Sequence, residues 1–347
     1  MSGGAKISVV MPTLNSGRYI ARALKSLAAQ TFEGAELIVV DSCSTDNTID
    51  DIHSHSSVSL PIQILSVPDC PYAQAINLGI DAAQGDFVAF CDSDDYVVPD
   101  MLSTMFDAAM KSNSDIAVCD FDMIYPERTI ESFARLSNDI FEPVGSGIAE
   151  YYYRFGAAPK PNNYLWSKLY RRNFLSKCGL RFPNTIFSGD HLFNLSMLFN
   201  GPKIIHVGKS LYCYVQHNDS AMRKHVRCSN HGQIFLGAFC SAAQMLEGRD
   251  KKIVEPILAI YAYTRIKSIL FYAWQAKLPE AETSAAIKTF TSNELARKSL
   301  AMCLDKNYIG HYCQMHCFSD ESKDTLRSML KVCIDNGPMP DMSKVFA

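Results

Sequence analysis

Residues 86–95 read DFVAFCDSDD and join a strand-like apolar run to a cluster of carboxylates. All five residues of Phe87–Cys91 are apolar, which is typical of a strand buried on both faces of a parallel sheet. The side chains of Asp92 and Asp94 stand two positions apart, so in an extended segment they project to one side, where a hard divalent cation can bind them. Aspartates also cluster in solvated turns that bind no metal. The prediction of a metal site therefore depends on the position of this cluster directly after the strand.

Four further strand-like runs accompany this strand, and segments with helical periodicity separate them. They are Lys6–Met11, Glu36–Asp41, Ile62–Ser66 and Asp115–Phe121. This alternation predicts an α/β fold, with a mostly parallel sheet covered by helices on both faces. Ligands of such sheets bind at the carboxyl ends of the strands, where this chain places most of its carboxylate clusters. Neither a G-x-G-x-x-G nor a P-loop motif occurs, which argues against a dinucleotide-binding or P-loop protein.

The composition is that of a folded protein in a reducing compartment. Of the 347 residues, 48% are hydrophobic, and the formal net charge is −3. These values exclude a disordered chain and give no indication of a nucleic-acid partner. The 12 cysteines are scattered without a C-x-x-C pair, and several stand in apolar runs, where cysteine acts as a small hydrophobic residue. Because no apolar signal segment precedes the first strand, we expect reduced thiols and a cytoplasmic location.

Beyond the predicted sheet, the sequence divides near residue 222. We predict a first domain over 1–222, with halves 1–121 and 122–222, and a helical C-terminal domain over 223–347. The range Tyr151–Gly189 contains seven basic residues and no acidic one, which suits either a diphosphate or anionic acceptor, or a solvated basic face. The long apolar run Ile253–Trp274 is interrupted by charges and a proline, so it cannot span a bilayer. Core packing, homodimerisation and peripheral membrane contact are its remaining uses.

Several motifs, in a consistent order, resemble a known family. ISVVMPTLNSGRYI (7–20), AELIVVDSCSTDNT (35–48) and PDCPYAQAINLGIDAAQGDFVAFCDSDD (68–95) resemble the nucleotide-sugar-binding half of family 2 glycosyltransferases. LWSKLYRRNFL (165–175), SGDHLFNLSMLF (188–199) and YCYVQHNDSAMR (212–223) are similar to the acceptor half. The resemblance covers roughly residues 6–223 and implies the GT-A fold, whereas the C-terminal helices lie outside it.

The resemblance implies a nucleotide-diphosphate sugar donor and a divalent cation, Mn²⁺ or Mg²⁺. UDP is the favoured donor nucleotide, because the carboxylate of Asp41 can accept a hydrogen bond from a uracil imide N–H. Asp94 and His217 match the positions near the metal, although a lone histidine is more often an ordinary polar loop residue. The residues matched to the donor side are Pro12, Thr13, Asn15, Asp41, Asp69, Asn77, Asp92, Ser93 and Arg223. Lys168, Arg171 and Arg172 are further candidates to hold the leaving diphosphate or an anionic acceptor, although for Arg172 a solvated basic face is the preferred interpretation.

The resemblance also implies a catalytic base. In an inverting transfer the base lies across the sugar from the metal, so it comes from a different segment of the chain. Asp190 matches the catalytic aspartate of the family motif E-D-x-x-F, although an aspartate here would also suit a helix N-cap. Gly189 replaces the glutamate of that motif. The replacement leaves the glutamate's role in acceptor contact or loop ordering open.

The sequence therefore predicts an inverting, metal-dependent glycosyltransferase. It would transfer a sugar to a hydroxyl of a glycan or lipid-linked glycan, and a lipid-linked acceptor would place the protein at the inner face of a membrane. Gly189 motivates an alternative, namely a non-catalytic relative that binds a nucleotide or glycan as a scaffold or partner subunit. A sugar nucleotidyltransferase is disfavoured because no glycine-rich loop follows the first strand.

Overall fold

The computed structural model describes residues 6–55, 60–130, 137–158, 162–185, 188–217, 230–335 and 337. The chain divides into two compact units. The first consists of Met1–Pro143, Asn162–Asn184 and Gly189–His217, and the second of Val144–Pro161, Thr185–Ser188 and Asn218–Ala347. The segment 144–161 thus belongs to the second unit, although it lies well before residue 222 in sequence.

One sheet organises the first unit. Its strands are β1 (Ile7–Thr13), β2 (Ala35–Asp41), β3 (Ile62–Ser66), β4 (Phe87–Phe90), β5 (Tyr96–Val97), β6 (Ile116–Tyr125), β7 (Arg128–Ile130), β8 (Ile140–Phe141), β9 (Lys168–Arg171) and β10 (Ile204–Val215). Their order is β3-β2-β1-β4-β9-β6-β10-β5, with β7 paired to β6 and β8 to β10. The five strands predicted from the sequence are present as β1 to β4 and β6.

The sheet is of the predicted α/β type and is mixed, because antiparallel strands join the parallel ones. β1 is parallel to β2 and β4, and β10 is parallel to β6. Between β4 and β6, however, β9 runs antiparallel to both. β9 has only four residues, three of them buried without alternation, so it carries no strand period that sequence reasoning can recognise. Its insertion brings the chain around residue 168 into the middle of the sheet.

Helices pack on this sheet through apolar faces. They are α1 (Ile20–Ala28), α2 (Thr48–Ser54), α3 (Tyr72–Ala82), α4 (Met101–Ser112), α6 (Arg172–Lys177) and α7 (Gly189–Leu198). In α1 the apolar stripe of Ile20, Leu24 and Leu27, spaced at i, i+4 and i+7, is buried. α3 approaches β1 so closely that a Cβ on Gly79 would lie 2.2 Å from Cγ1 of Val10. Only glycine permits this packing, which fixes the position of α3 beside the carboxyl end of the sheet.

The second unit is helical. It contains α5 (Gly147–Tyr151), a π-helical turn (Tyr152–Gly156), α8 (His231–Met245), α9 (Lys251–Gln275), α10 (Glu280–Thr291), α11 (Glu294–Asp305), α12 (Tyr308–Met315) and α13 (Asp320–Asp335). α9 is its centre, and the guanidinium of Arg265 is buried there, 4.7 Å from the ring centroid of Tyr261 and bonded to Oγ of Ser188 at 2.6 Å. Among the described helices, none combines the length and apolarity that crossing a bilayer requires.

Candidate active site

A turn of three carboxylates follows β4, and tertiary contacts hold it rigidly. The carboxylate oxygens of Asp92, Asp94 and Asp95 lie within 4.8 Å of one another. Asp95 is fully buried and accepts hydrogen bonds from the hydroxyl of Tyr212 and the backbone N–H of Val215, both at 2.7 Å. The same Tyr212 hydroxyl accepts the backbone N–H of Asp92 at 3.1 Å. Asp95 therefore anchors the turn to β10, which leaves Asp92 and Asp94 as the pair able to bind a ligand.

His217, just beyond β10, completes this cluster. Its Nε2 lies 2.8 Å from Oδ2 of Asp94, and its ring stacks on Tyr19 with centroids 4.2 Å apart. Arg22 donates to the backbone carbonyl of Asp94 at 2.6 Å, which helps to fix the backbone of the aspartate. A carboxylate and an imidazole at this spacing fit a divalent cation of the Mn²⁺ type, which accepts oxygen and nitrogen ligands. The residues present thus agree with a metal site at Asp94 and His217.

The electrostatics of the cluster favour cation binding as well. Desolvation, followed by the charges of Asp94 and Asp190, raises the pKa of Asp92 to about 8. Like charges held together in a desolvated place are costly, and a bound cation relieves their repulsion. Asp190 contributes to this shift, so it lies near enough to Asp92 for their charges to interact, although the two residues come from distant parts of the chain.

The turns after β1 and β2 form a second set of contacts, where the sequence predicts the nucleotide. Asp41 is buried, and its carboxylate accepts hydrogen bonds from the N–H and hydroxyl of Ser44. Asn15 adopts a left-handed φ of 48°, and its Oδ1 accepts the N–H of Thr45 at 2.8 Å. The two turns are thereby tied together, and they bring Pro12, Thr13, Asn15 and Asp41 to one edge of the sheet.

Ser93 connects the two sets of contacts. Its hydroxyl lies 2.7 Å from that of Ser16, in the turn after β1, and both residues are buried. Asp69 stands in an exposed turn before α3, with a φ of 49°. Arg223 lies outside the described residues.

Asn77, one of the residues matched to the donor side, makes contacts with the backbone of a distant segment. Its amide exchanges two hydrogen bonds with the backbone of Phe182: Nδ2 donates to the carbonyl at 2.9 Å, and Oδ1 accepts the N–H at 2.8 Å. Both polar atoms of the side chain are engaged in this way, so Asn77 positions the segment around Phe182. Binding of the donor by Asn77 stays a prediction from the sequence.

Asp190 is the second residue of α7 and lies in a desolvated environment. Desolvation raises its pKa to about 7, against the opposing effect of the positive charge of Lys168. Its Oδ1 is buried and has no hydrogen-bond partner among the described residues. Asn194 donates to the Asp190 carbonyl and to the carbonyl of Asn163, both at 2.7 Å, which secures the start of the helix. A carboxylate that titrates near neutrality with one unpaired oxygen can act as a general base.

The structure gives a physical reason for Gly189. An added Cβ would lie 2.5 Å from two ring carbons of Phe182, a distance that side-chain carbons do not reach without displacement. The Phe182 ring stacks on that of Phe193, with centroids 6.1 Å apart, and meets Tyr72 edge-on at 5.7 Å. The ring of Phe182 therefore occupies the position that the Cβ of the family's glutamate would take. Glycine in place of glutamate at position 189 is thus accompanied by the ring of Phe182, and Asp190 keeps its place at the start of α7.

The basic residues of the predicted diphosphate-binding segment have structural partners. Lys168 is 3% exposed, and its Nζ donates to the carbonyls of Asn162 and Tyr164. Arg171 donates to the Ser114 carbonyl, and Arg172 to that of Gly85. These contacts engage the three cationic groups with neighbouring backbone carbonyls, and a role toward a diphosphate or anionic acceptor stays a prediction.

Sequence reasoning missed Tyr212, Arg22, Tyr19 and Tyr72 as residues of this site. Tyr212 and Arg22 hold the carboxylate turn, Tyr19 supports His217, and the hydroxyl of Tyr72 donates to Oδ1 of Asp92 at 3.3 Å. Each of these residues contacts a partner from a different segment, so no local sequence motif identifies its role.

Comparisons with known proteins agree with this geometry. The family model described as Glycosyl transferase family 2 matches residues 8–179. YibD of Escherichia coli K12, an uncharacterised glycosyltransferase, is 27% identical over 74% of this chain and 75% of its own length. EpsH of Bacillus subtilis, a putative glycosyltransferase, is 26% identical, and there the match spans 63% of each chain.

A solved structure resembles almost the whole chain. The crystal structure of residues 1–349 of Staphylococcus aureus TarS in complex with UDP-GlcNAc aligns with a TM-score of 0.70. The alignment covers 96% of this chain and 92% of that one, at 21% identity. A likeness at this identity supports the GT-A architecture, including the additional helical region.

Proposed function

The chain belongs to family 2 of the glycosyltransferases, and we propose that it is an inverting, metal-dependent enzyme that transfers a sugar from a UDP-linked donor to a hydroxyl of a glycan or lipid-linked glycan. The observation that supports this most directly is the grouping of Asp92, Asp94 and His217 with Asp190. The cluster suits a metal ion that can bind a diphosphate, and the separate carboxylate of Asp190 suits a general base. An inverting transfer needs both groups in one site.

Asp190 acts as the base in this proposal. Its unpaired Oδ1 accepts the proton of the acceptor hydroxyl as that oxygen attacks the anomeric carbon, and the bond to the nucleoside diphosphate breaks on the opposite face. The raised pKa of about 7 brings the proton affinity of the carboxylate closer to that required of a base near neutral pH. Asn194 holds the backbone of Asp190, so that the carboxylate keeps its orientation.

Asp94 and His217 would hold the cation, Mn²⁺ or Mg²⁺. A cation at this place supplies positive charge for the diphosphate leaving group. Tyr212 and Asp95 hold the turn in place, so the positive charge of the cation would be positioned before the reaction begins.

UDP is proposed as the donor nucleotide because Asp41 offers a buried carboxylate at the edge of the sheet. The TarS structure, which contains UDP-GlcNAc, is in line with this choice. Pro12, Thr13 and Asn15 form the neighbouring turn and would surround the base and ribose. A cytoplasmic location at the inner face of a membrane, and dimerisation through the C-terminal helices, stay predictions from the sequence.

The non-catalytic alternative has lost its motivation. It depended on Gly189, whose missing side chain is explained by the ring of Phe182. The family match and the glycosyltransferase relatives support an active enzyme.

The test measures UDP release from a panel of UDP-sugars with Mn²⁺ or Mg²⁺ and a set of glycan and lipid-linked acceptors. We expect Asp190→Asn to lower transfer at least about a hundredfold, the usual effect of losing a general base, while UDP affinity stays unchanged by calorimetry. Asp107→Asn, on the exposed side of α4, is the matched control and should keep full activity. Transfer by Asp190→Asn at the wild-type rate, or a wild-type protein that releases no UDP from any donor, would contradict the proposal.

A further inference from the structure

Tyr72 stands out among the large side chains of the sheet unit. It is the first residue of α3, and 45% of its surface is exposed. Its hydroxyl nevertheless donates to Oδ1 of Asp92 at 3.3 Å. A tyrosine with an open ring and a hydroxyl directed at a site carboxylate has the amphipathic character that suits carbohydrate contact.

The neighbours of Tyr72 hold the ring from one side. Its edge meets Phe182 at 5.7 Å between centroids, with the planes 73° apart. Phe182 in turn is clamped by Asn77 through two backbone hydrogen bonds and packs on Phe193, which follows Asp190 in α7. The ring of Tyr72 is thus supported by residues that also define the position of the base.

Tyr72 is linked to both the carboxylate turn and the start of α7. The phenol is a neutral hydrogen-bond donor near neutral pH. Its hydroxyl contacts Asp92 directly, and its ring contacts Phe182, which packs against Gly189 beside Asp190. A sugar bound at Asp92 would therefore lie beside the hydroxyl of Tyr72.

We propose that Tyr72 is a sugar-binding residue at the boundary between the donor and acceptor subsites, where its hydroxyl hydrogen-bonds the transferred sugar and its open ring packs against the acceptor. This proposal rests on the proposed function. It assigns to Tyr72 a role toward the sugar and none toward the nucleotide, whose predicted contacts come from the turns after β1 and β2.

The separation of sugar from nucleotide defines the experiment. Calorimetry on the full chain with Mn²⁺ compares UDP with the UDP-sugar that gives the largest thermal shift among UDP-glucose, UDP-galactose and UDP-N-acetylglucosamine. We expect Tyr72→Phe to weaken binding of the UDP-sugar about tenfold, as the loss of one hydrogen bond implies, and to leave UDP affinity within about twofold. Tyr72→Leu should in addition raise the KM for the acceptor, because the ring is lost. Tyr125→Phe, whose ring lies 5.3 Å from the Arg128 guanidinium, is the control and should change neither affinity.

The outcomes distinguish the two proposals. A loss confined to the UDP-sugar supports the assignment of Tyr72. If Tyr72→Phe binds UDP-sugar and UDP as the wild-type protein does, the assignment of Tyr72 is wrong, while the proposed function stands. If the wild-type protein binds none of the UDP-sugars, the proposed function and the role of Tyr72 both fail.

Discussion

Replacing Gly189 with alanine tests whether the ring of Phe182 has taken the place of the family's glutamate. Gly189 is the first residue of α7, where alanine would ordinarily stabilise a helix by up to about 1 kcal/mol. Packing predicts the opposite sign. The added Cβ would lie 2.5 Å from two ring carbons of Phe182, whereas carbon atoms in contact prefer about 3.5–4.0 Å. The ring or the helix start must therefore move by about 1 Å.

The ring has little freedom to retreat. Phe193 and Tyr72 pack against it, and Asn77 holds its backbone through two hydrogen bonds. Overpacking of this kind costs about 1–3 kcal/mol. That cost exceeds the gain in helix propensity, so the net effect should destabilise the protein, with a fall in Tm of roughly 2–4 °C per kcal/mol. Because Asp190 is the next residue, we also expect transfer to fall by about tenfold or more.

A double-variant cycle with thermal unfolding separates the steric effect from other causes. In the Phe182→Ala background the clash is absent, so Gly189→Ala should cost less there than in the wild-type protein, with a coupling of at least about 1 kcal/mol. Gly237→Ala in α8 is the control, because a Cβ at that position meets nothing within 4 Å, and it should be neutral or stabilising. If Gly189→Ala is as stable as the wild-type protein, or costs the same with and without the ring, the steric reasoning is refuted.

Four further outcomes follow from the site. Asp190 has a folded-state pKa of about 7, above its unfolded value, so its ionisation destabilises the fold. In denaturant titrations Asp190→Asn should gain stability over wild type as pH rises from about 4 to 7, by up to a few kcal/mol. Lys168→Met removes a positive charge that lowers the pKa of Asp190, so the rising limb of the kcat–pH profile should move to higher pH. At a pH below that limb, kcat should fall about tenfold for each unit by which the pKa rises. Asp94→Asn should abolish the dependence of UDP affinity on Mn²⁺ in calorimetry, and unchanged dependence would exclude Asp94 as a ligand. Tyr212→Phe leaves Asp95 short of a hydrogen bond, and chemical unfolding should show a loss of about 1–3 kcal/mol.

Lys168 illustrates how burial changes the meaning of a charged residue. In the sequence it belongs to a basic segment without acidic neighbours, which suggests a surface for anions. In the structure it lies on β9, inside the sheet, where desolvation lowers its pKa to about 7 and the charge of Asp190 opposes that shift. Its hydrogen bonds to the carbonyls of Asn162 and Tyr164 order the segment that precedes β9. Lys168 therefore acts on Asp190 electrostatically and orders the preceding segment through hydrogen bonds.

The sequence by itself determined the strands β1 to β4 and β6, the α1 stripe, and the position of Asp92 and Asp94 after β4. These features follow from local periodicity, which a strand or helix imposes on neighbouring residues. The family resemblance added Asp190 and His217, because their motifs are contiguous. All of these are properties of short segments, so no knowledge of long-range contacts was needed to find them.

Only the tertiary structure decided how these segments act on one another. Tyr212 meets Asp95, Asn77 meets Phe182, and Phe182 fills the space beside Gly189. The first two pairs join residues that are distant in the chain, the third joins residues on either side of a loop, and neither partner alone carries a recognisable signal. The antiparallel insertion of β9 belongs to the same class, since four buried residues lack a distinctive period. Whether a charged or polar side chain binds a ligand or supports the backbone depends on burial and partners, and those are set by the packing of the whole unit.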